Sequence, residues 1–209
     1  MVFTGFPVAA LDFYDDLEMD NTKSFWEAHK TVYDEAVKAP MTELVKALEP
    51  EFGTAKVFRP YRDVRFAKDK TPYKTHQGAF VATGPSTGWY VEIAARGMRV
   101  GAGFYEAGGE RLAAVRDAIA DDKTGPKLQR ALRKLEKAGF EIGGEKLKTA
   151  PRGYDAAHPR IELLRHKQLL AGRSYGFDEL IHGPELLEQV RSDWRALDPL
   201  LSWLQDATA

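Results

Sequence analysis

The sequence predicts an α+β fold, a single domain over residues 1–209 with a central antiparallel meander flanked by N- and C-terminal helices on one face. Three observations carry that expectation. Apolar residues recur at spacings of three and four at both ends of the chain, and the period falls to two in the middle. The alternating segments are separated by short turns containing Gly, Pro and Ser, too short to hold a crossover helix. Strands grouped between helices are the pattern of an α+β domain.

Taken in order, Pro7 opens a first helix with Ala10, Leu11, Phe13 and Tyr14 on its buried stripe. Asn21 or Thr22 caps a second, which carries Phe25, Trp26, His29, Tyr33 and Val37. Pro40 is expected to restart the chain as a third helix with Leu44, Val45 and Leu48 on one face. Strands are expected at Val57–Phe66, Gly78–Thr83, Trp89–Ala95 and Met98–Tyr105, the third with an apolar face opposite Glu92. Helical spacing returns with Leu112, Val115 and Ile119, then with Leu128, Leu132 and Leu135 between Pro126 and Gly139. A short helix from about Pro159 and a strand from about Gln168 to Ser174 follow. The last helix carries Leu186, Val190, Trp194, Leu197, Leu201 and Leu204, and Pro199 is expected to interrupt it, with Asp198 as cap.

Composition narrows the function. The chain has no cysteine, which excludes thiol catalysis, disulfides and cysteine-ligated metal. The net charge of -1 argues against coating nucleic acid or an anionic membrane with the whole surface. No apolar run approaches the ~20 residues that span a bilayer, and Met1–Ala10 lacks the pattern of a signal peptide. A cytoplasmic protein with no membrane partner is expected.

One segment stands out. Residues 56–76, KVFRPYRDVRFAKDKTPYKTH, hold seven Lys or Arg against Asp63 and Asp69, so a charge of +5 sits in a chain whose remainder carries -6. Concentrated charge on a near-neutral protein implies a directed field. If Val57–Phe66 is a regular strand, Arg62 shares a face with Phe58, Val64 and Phe66, and must meet a carboxylate or an incoming anion. Pro60 cannot donate to a ladder and marks an edge strand or a bulge, which would swap the faces beyond it. The competing reading is a sheet edge kept soluble by its charges.

Around these residues the sequence resembles a bacterial and fungal family catalogued as domain of unknown function 2461. The resemblance is carried by Phe3-Thr4-Gly5-Phe6-Pro7, by Asn21 with Phe25-Trp26 and Tyr33, and by Tyr61-Arg62-Asp63-Val64-Arg65-Phe66. It continues through Lys68-Asp69-Lys70-Thr71-Pro72-Tyr73-Lys74-Thr75-His76, Gly101-Ala102-Gly103 and Pro151-Arg152-Gly153-Tyr154-Asp155 with His158-Pro159. It covers nearly the whole chain and implies one domain. It names no reaction.

A second polar cluster comprises Arg152, Tyr154, Asp155, His158, Arg165, His166 and Lys167, for which loop capping competes with a proton-carrying role. No two of the five histidines stand three or four apart and no HExxH signature occurs, so no metal and no cofactor are expected. Gly101-Ala102-Gly103 departs from the dinucleotide fingerprint at Glu106 and reads as close strand packing or a bulge.

Three functions rank in order. The first is a cationic pocket for a phosphate- or carboxylate-bearing small molecule, catalytic or not and without metal. Arg62, Arg65, Lys68, Lys70, Lys74 and Arg152 would bind the anion, and His76 and His158 would carry protons. The second is a non-catalytic interaction or scaffold domain, in which Arg62 and Arg65 pair with internal acids. The third is a single-stranded nucleic-acid module using Arg59, Tyr61 and Arg65.

Overall fold

In the computed structural model, which describes residues 2–106 and 108–208, the chain is α+β, as the periodicity predicts. It resolves into two compact units: residues 1–81, 90–100 and 174–192 make the first, and residues 82–89, 101–173 and 193–209 the second.

The first unit opens with helix α1 (Ala9–Met19), which buries Ala10, Leu11, Phe13, Tyr14 and Leu17. Helix α2 (Lys23–Val32) starts at Thr22, whose hydroxyl accepts the Phe25 N–H at 3.2 Å, so of the two candidate caps Thr22 serves. Asn21 instead brackets the backbone of Tyr73, donating to its carbonyl and accepting its N–H. The third helix starts where expected, with Pro40 in its first turn and Leu44, Val45 and Leu48 buried, but the chain stays helical through the join. A π-helical segment, Tyr33–Lys38, joins α2 to α3 (Ala39–Phe52), with the Ala39 N–H reaching back five residues to Asp34. That wider register lets a residue without an N–H sit just inside α3 while the chain stays helical. Trp26, Tyr33, Val37, Met41, Leu44 and Leu48 form the buried stripe.

The sheet order is β1-β2-β3-β4-β6-β5, with β1 Ala55–Val57, β2 His76–Gly84, β3 Thr87–Ala94, β4 Gly97–Phe104, β5 Glu141–Gly143 and β6 Leu169–Gly176. The two-residue connections between β2, β3 and β4 make an antiparallel meander, and β1–β2 and β5–β6 are antiparallel as well. Gly101-Ala102-Gly103 serves close strand packing. A side chain at Gly103, where φ is +142°, would stand 2.1 Å from the Leu169 carbonyl oxygen.

In the second unit, α4 (Gly109–Ala120) and α5 (Gly125–Lys137) bury Val115, Ile119, Leu128, Leu132 and Leu135. The buried Arg160 guanidinium closes α4 by donating to the carbonyls of Ile119 and Ala120, both at 2.6 Å, and to Asp122 at 2.8 Å. Helix α6 is a single turn, Ile161–Leu164. The Trp89 indole donates to the Trp194 carbonyl at 3.1 Å, and Arg173 pairs with the buried Asp193 at 3.0 Å.

Helix α7 (Leu186–Asp206) runs straight through Pro199, contrary to the interruption expected there. An internal proline costs about 3 kcal/mol. Against that stand Leu186, Val190, Trp194, Leu197, Leu201 and Leu204, each at most 1% exposed. Full burial of one such side chain stabilises by about 1.5–3 kcal/mol, so the stripe outweighs the proline.

Candidate functional site

The expected strand Val57–Phe66 ends at Val57, and the residues beyond it form an irregular two-stranded ribbon, residues 58–75, with Tyr61 opposite Tyr73. The reason lies in register. In β1–β2 the pairing runs Val57↔Ala79, but beyond it Lys74 donates to the Pro60 carbonyl and Arg62 to that of Pro72, each at 2.8 Å. Two extra residues on the β2 side are bulged out where the register changes. Gln77 fills the gap: its amide donates to the Phe58 carbonyl at 2.8 Å and accepts the buried Tyr33 hydroxyl at 2.6 Å. Pro60 therefore sits at an edge next to a bulge, where its missing N–H costs no ladder bond.

Toward its tip the ribbon neutralises itself. Arg62 reaches Asp69 at 2.5 Å and also the Thr71 hydroxyl. Its side chain is 31% exposed, so the guanidinium is not enclosed among apolar neighbours. Arg65 grips Asp63 with two parallel bonds of 2.9 and 2.6 Å. These bonds hold both carboxyls below the usual carboxylate range; Asp69, bonded by Arg62 and by Thr71, lies at about 2. Lys70 donates to the carbonyls of Val64 and Arg65, while Lys68 and, at the apex, Phe66 face solvent.

A different set converges at the base of the ribbon, on the sheet face opposite the first unit's core. Gln77, Ala79, Val91, Ile93, Met98 and Val100 are buried, so alternation turns His76, Gly78, Tyr90, Glu92 and Arg99 the other way. The Tyr90 ring lies across Gly78, where a Cβ would stand 2.6 Å from its hydroxyl oxygen. That hydroxyl donates to Glu92, which also faces Arg99 Nε at 3.4 Å and His76 Nε2 at 3.9 Å. Burial, and then the Glu92 charge, push the Tyr90 phenol well up. Burial pulls the His76 imidazole below its ordinary 6.5, against the opposing pull of Glu92, so the ring is neutral at pH 7.

Lys74 stands beside this cluster with its ammonium 5.3 Å from the centre of the Phe58 ring, which is itself 6.4 Å from Tyr90. Burial, and then the like charges of Arg59 and Lys56, lower the Lys74 pKa. No described carboxylate lies within ion-pair distance of Lys74, Arg59 or Lys56, though Arg59 acts at longer range on Asp63.

Of the residues singled out from sequence, Lys74 and His76 thus come together, and Arg62, Arg65 and Lys70 are engaged within the ribbon. Arg152 and His158 belong to the second unit. Arg152 is exposed, and His158 Nδ1 accepts the Arg160 N–H at 3.1 Å, a capping bond. Nearby, Tyr154 donates to Asp117 at 2.7 Å, Arg165 pairs with Glu162 at 2.8 Å and Lys167 with Glu145 at 2.6 Å. Sequence reasoning missed Tyr90, Glu92 and Arg99 as partners of His76. The signal was present in the alternation that set Glu92 opposite an apolar face. Among the described residues no cluster of three or more His, Cys, Asp or Glu is arranged to hold a metal ion, and no helix is long and apolar enough to cross a membrane.

Fold and site define an α+β protein built on an open antiparallel meander with a cationic ribbon leading off its β1 edge. The chain belongs to the DUF2461 family, described as a conserved hypothetical protein, whose family model matches residues 9–203. No curated protein and no solved structure matches it.

Proposed function

We propose that the sheet face at the base of the ribbon binds a phosphate- or carboxylate-bearing small molecule, with Lys74, Arg59 and Lys56 as the anion-binding cations and His76 as the proton carrier. The observation that carries the reading is the crowding of these three cations, with Lys74 lacking a carboxylate partner. An arriving anion relieves the mutual repulsion and gains from the partly desolvated surroundings of Lys74. The neutral His76 beside it, flanked by Glu92, has the protonation state of a general base near neutrality. Tyr90 and Arg99 fix the Glu92 carboxylate and so set the field in which His76 titrates.

The test is thermal stabilisation by inorganic phosphate and by citrate. At ten times the dissociation constant a ligand adds about 1.4 kcal/mol, a melting-temperature rise of about 3–6 °C for a chain of this size. Lys74→Gln should abolish the rise, while Arg62→Gln, which alters the ribbon tip, should leave it. A rise that survives Lys74→Gln, or no rise with either anion, removes this site.

The pairing of Arg62 with Asp69 and of Arg65 with Asp63 favours a second reading, a non-catalytic interaction domain whose ribbon is held in shape by its own charges. On that reading neither anion stabilises the protein and His76→Asn is silent in every binding assay.

A further inference from the structure

The second unit contains a separate hollow of about 240 Å³ between α5, β5 and α6. Leu132, Ile142 and Leu163 give it an apolar floor, and Gln129, Arg133, Glu136, Lys146 and His166 supply its polar lining. Gln129, Leu132, Arg133 and Glu136 share one face of α5 by their spacing of three and four.

His166 is the unusual member. It is 3% exposed, and its Nδ1 lies 2.7 Å from the Gln168 carbonyl oxygen. A carbonyl only accepts, so Nδ1 carries the hydrogen and Nε2 presents a lone pair. Burial lowers the pKa of this imidazole, which keeps the ring neutral at pH 7. Nε2 makes no hydrogen bond among the described residues, and His166 lines the hollow. Arg133, Glu136 and Lys146 form no ion pair among the described residues, and the three together carry a charge of +1. The remaining charge near the ring, Glu162, is engaged by Arg165 at 2.8 Å.

We propose that this hollow binds a small monoanion that carries a hydroxyl group and a short apolar substituent, the chemistry of a 2-hydroxycarboxylate. Arg133 and Lys146 receive the carboxylate. The lone pair of Nε2 would repel a bare anion but accepts the hydrogen of an adjacent hydroxyl. Glu136 disfavours a second negative charge on the ligand, and Leu132, Ile142 and Leu163 take the alkyl group. The volume lies below the ~300–1,000 Å³ of drug-sized sites and suits a molecule of a few heavy atoms.

The experiment uses the Lys74→Gln protein, which lacks the anion site proposed for the other unit, and compares lactate, propionate and inorganic phosphate, following the His166 ring nitrogens by long-range ¹H–¹⁵N NMR and affinity by titration calorimetry. Lactate should move the Nε2 resonance and bind about tenfold more tightly than propionate, which lacks the hydroxyl. Phosphate should bind more weakly than lactate. Arg133 and Lys146 are exposed, so Arg133→Gln and Lys146→Gln leave the fold intact, and each should weaken lactate by about tenfold. Equal binding of lactate and propionate, an unmoved Nε2 signal, tighter binding of phosphate, or unchanged affinity in both variants would overturn the proposal. With Lys74 intact, lactate should move the His166 Nε2 resonance by the same amount, because that signal reports the hollow and not the other unit.

Discussion

At the scale of single residues, two polar groups show how far burial decides outcome. The Tyr33 hydroxyl and the Gln77 amide are satisfied by one another and by the Phe58 carbonyl, all at the point where the ladder changes register. Tyr33→Phe leaves the Gln77 oxygen without its donor and should cost about 1–2 kcal/mol in urea denaturation, with the ribbon resonances of residues 58–75 shifting most. Arg173 faces a carboxylate, Asp193, that is itself buried. Removing the guanidinium takes a charged hydrogen bond from that buried carboxylate, so Arg173→Met should destabilise by about 1.5–3 kcal/mol. The contrast with Arg62 is instructive. Alternation drew attention to Arg62 as the costly arginine, yet the enclosed one is Arg160, whose partners come from 38 to 41 residues away. Nothing local in the sequence announces such partners. Lys74 and His76 could be singled out because their charge and titration are properties of the residues themselves. Their neighbours Tyr90, Glu92 and Arg99 arrive through strand pairing, which a linear reading leaves open.

Among the elements, helices were legible wherever a stripe of apolar residues was long. The stripes of α1, α4, α5 and α7 are the ones that the spacing predicts, because periodicity reports the buried face directly. Proline served at Pro40, which opens α3, and misled at Pro199, where its local preference was outweighed by packing along the whole helix. Pro199 is exposed on α7, so Pro199→Ala removes no packing and restores a backbone donor; it should stabilise by about 1–3 kcal/mol, read as a raised denaturation midpoint. The three-residue strand β5 went unseen because Glu141–Gly143 is too short to show a period. The long strand expected at Val57–Phe66 failed for a different reason. Its alternation is real, but two bulged residues in the partner strand, invisible from its own side, end regular pairing.

For the molecule as a whole, acid should act in two stages. His76 and His166 both have folded pKa values below 6.5 because burial disfavours the imidazolium. The unfolded chain therefore binds their protons first, and stability should fall as pH drops from about 6.5 through the folded values. Asp63, Asp69 and Asp121 have depressed values; their contribution is present above the unfolded 3.8 and is lost as pH falls toward the folded values, about 2 for Asp69. Urea midpoints against pH should show both limbs, and His76→Asn with His166→Asn should flatten the first alone. The outermost strands of the sheet, β1 and β5, are each three residues long. A stray chain seeking to add itself sideways thus finds almost no unpaired rung, and on one side it also meets a proline and a hedge of positive charge. Substituting Pro60 by valine and straightening the bulge would lengthen that rim, and the resulting protein should begin to form filaments at concentrations where the native chain stays dispersed.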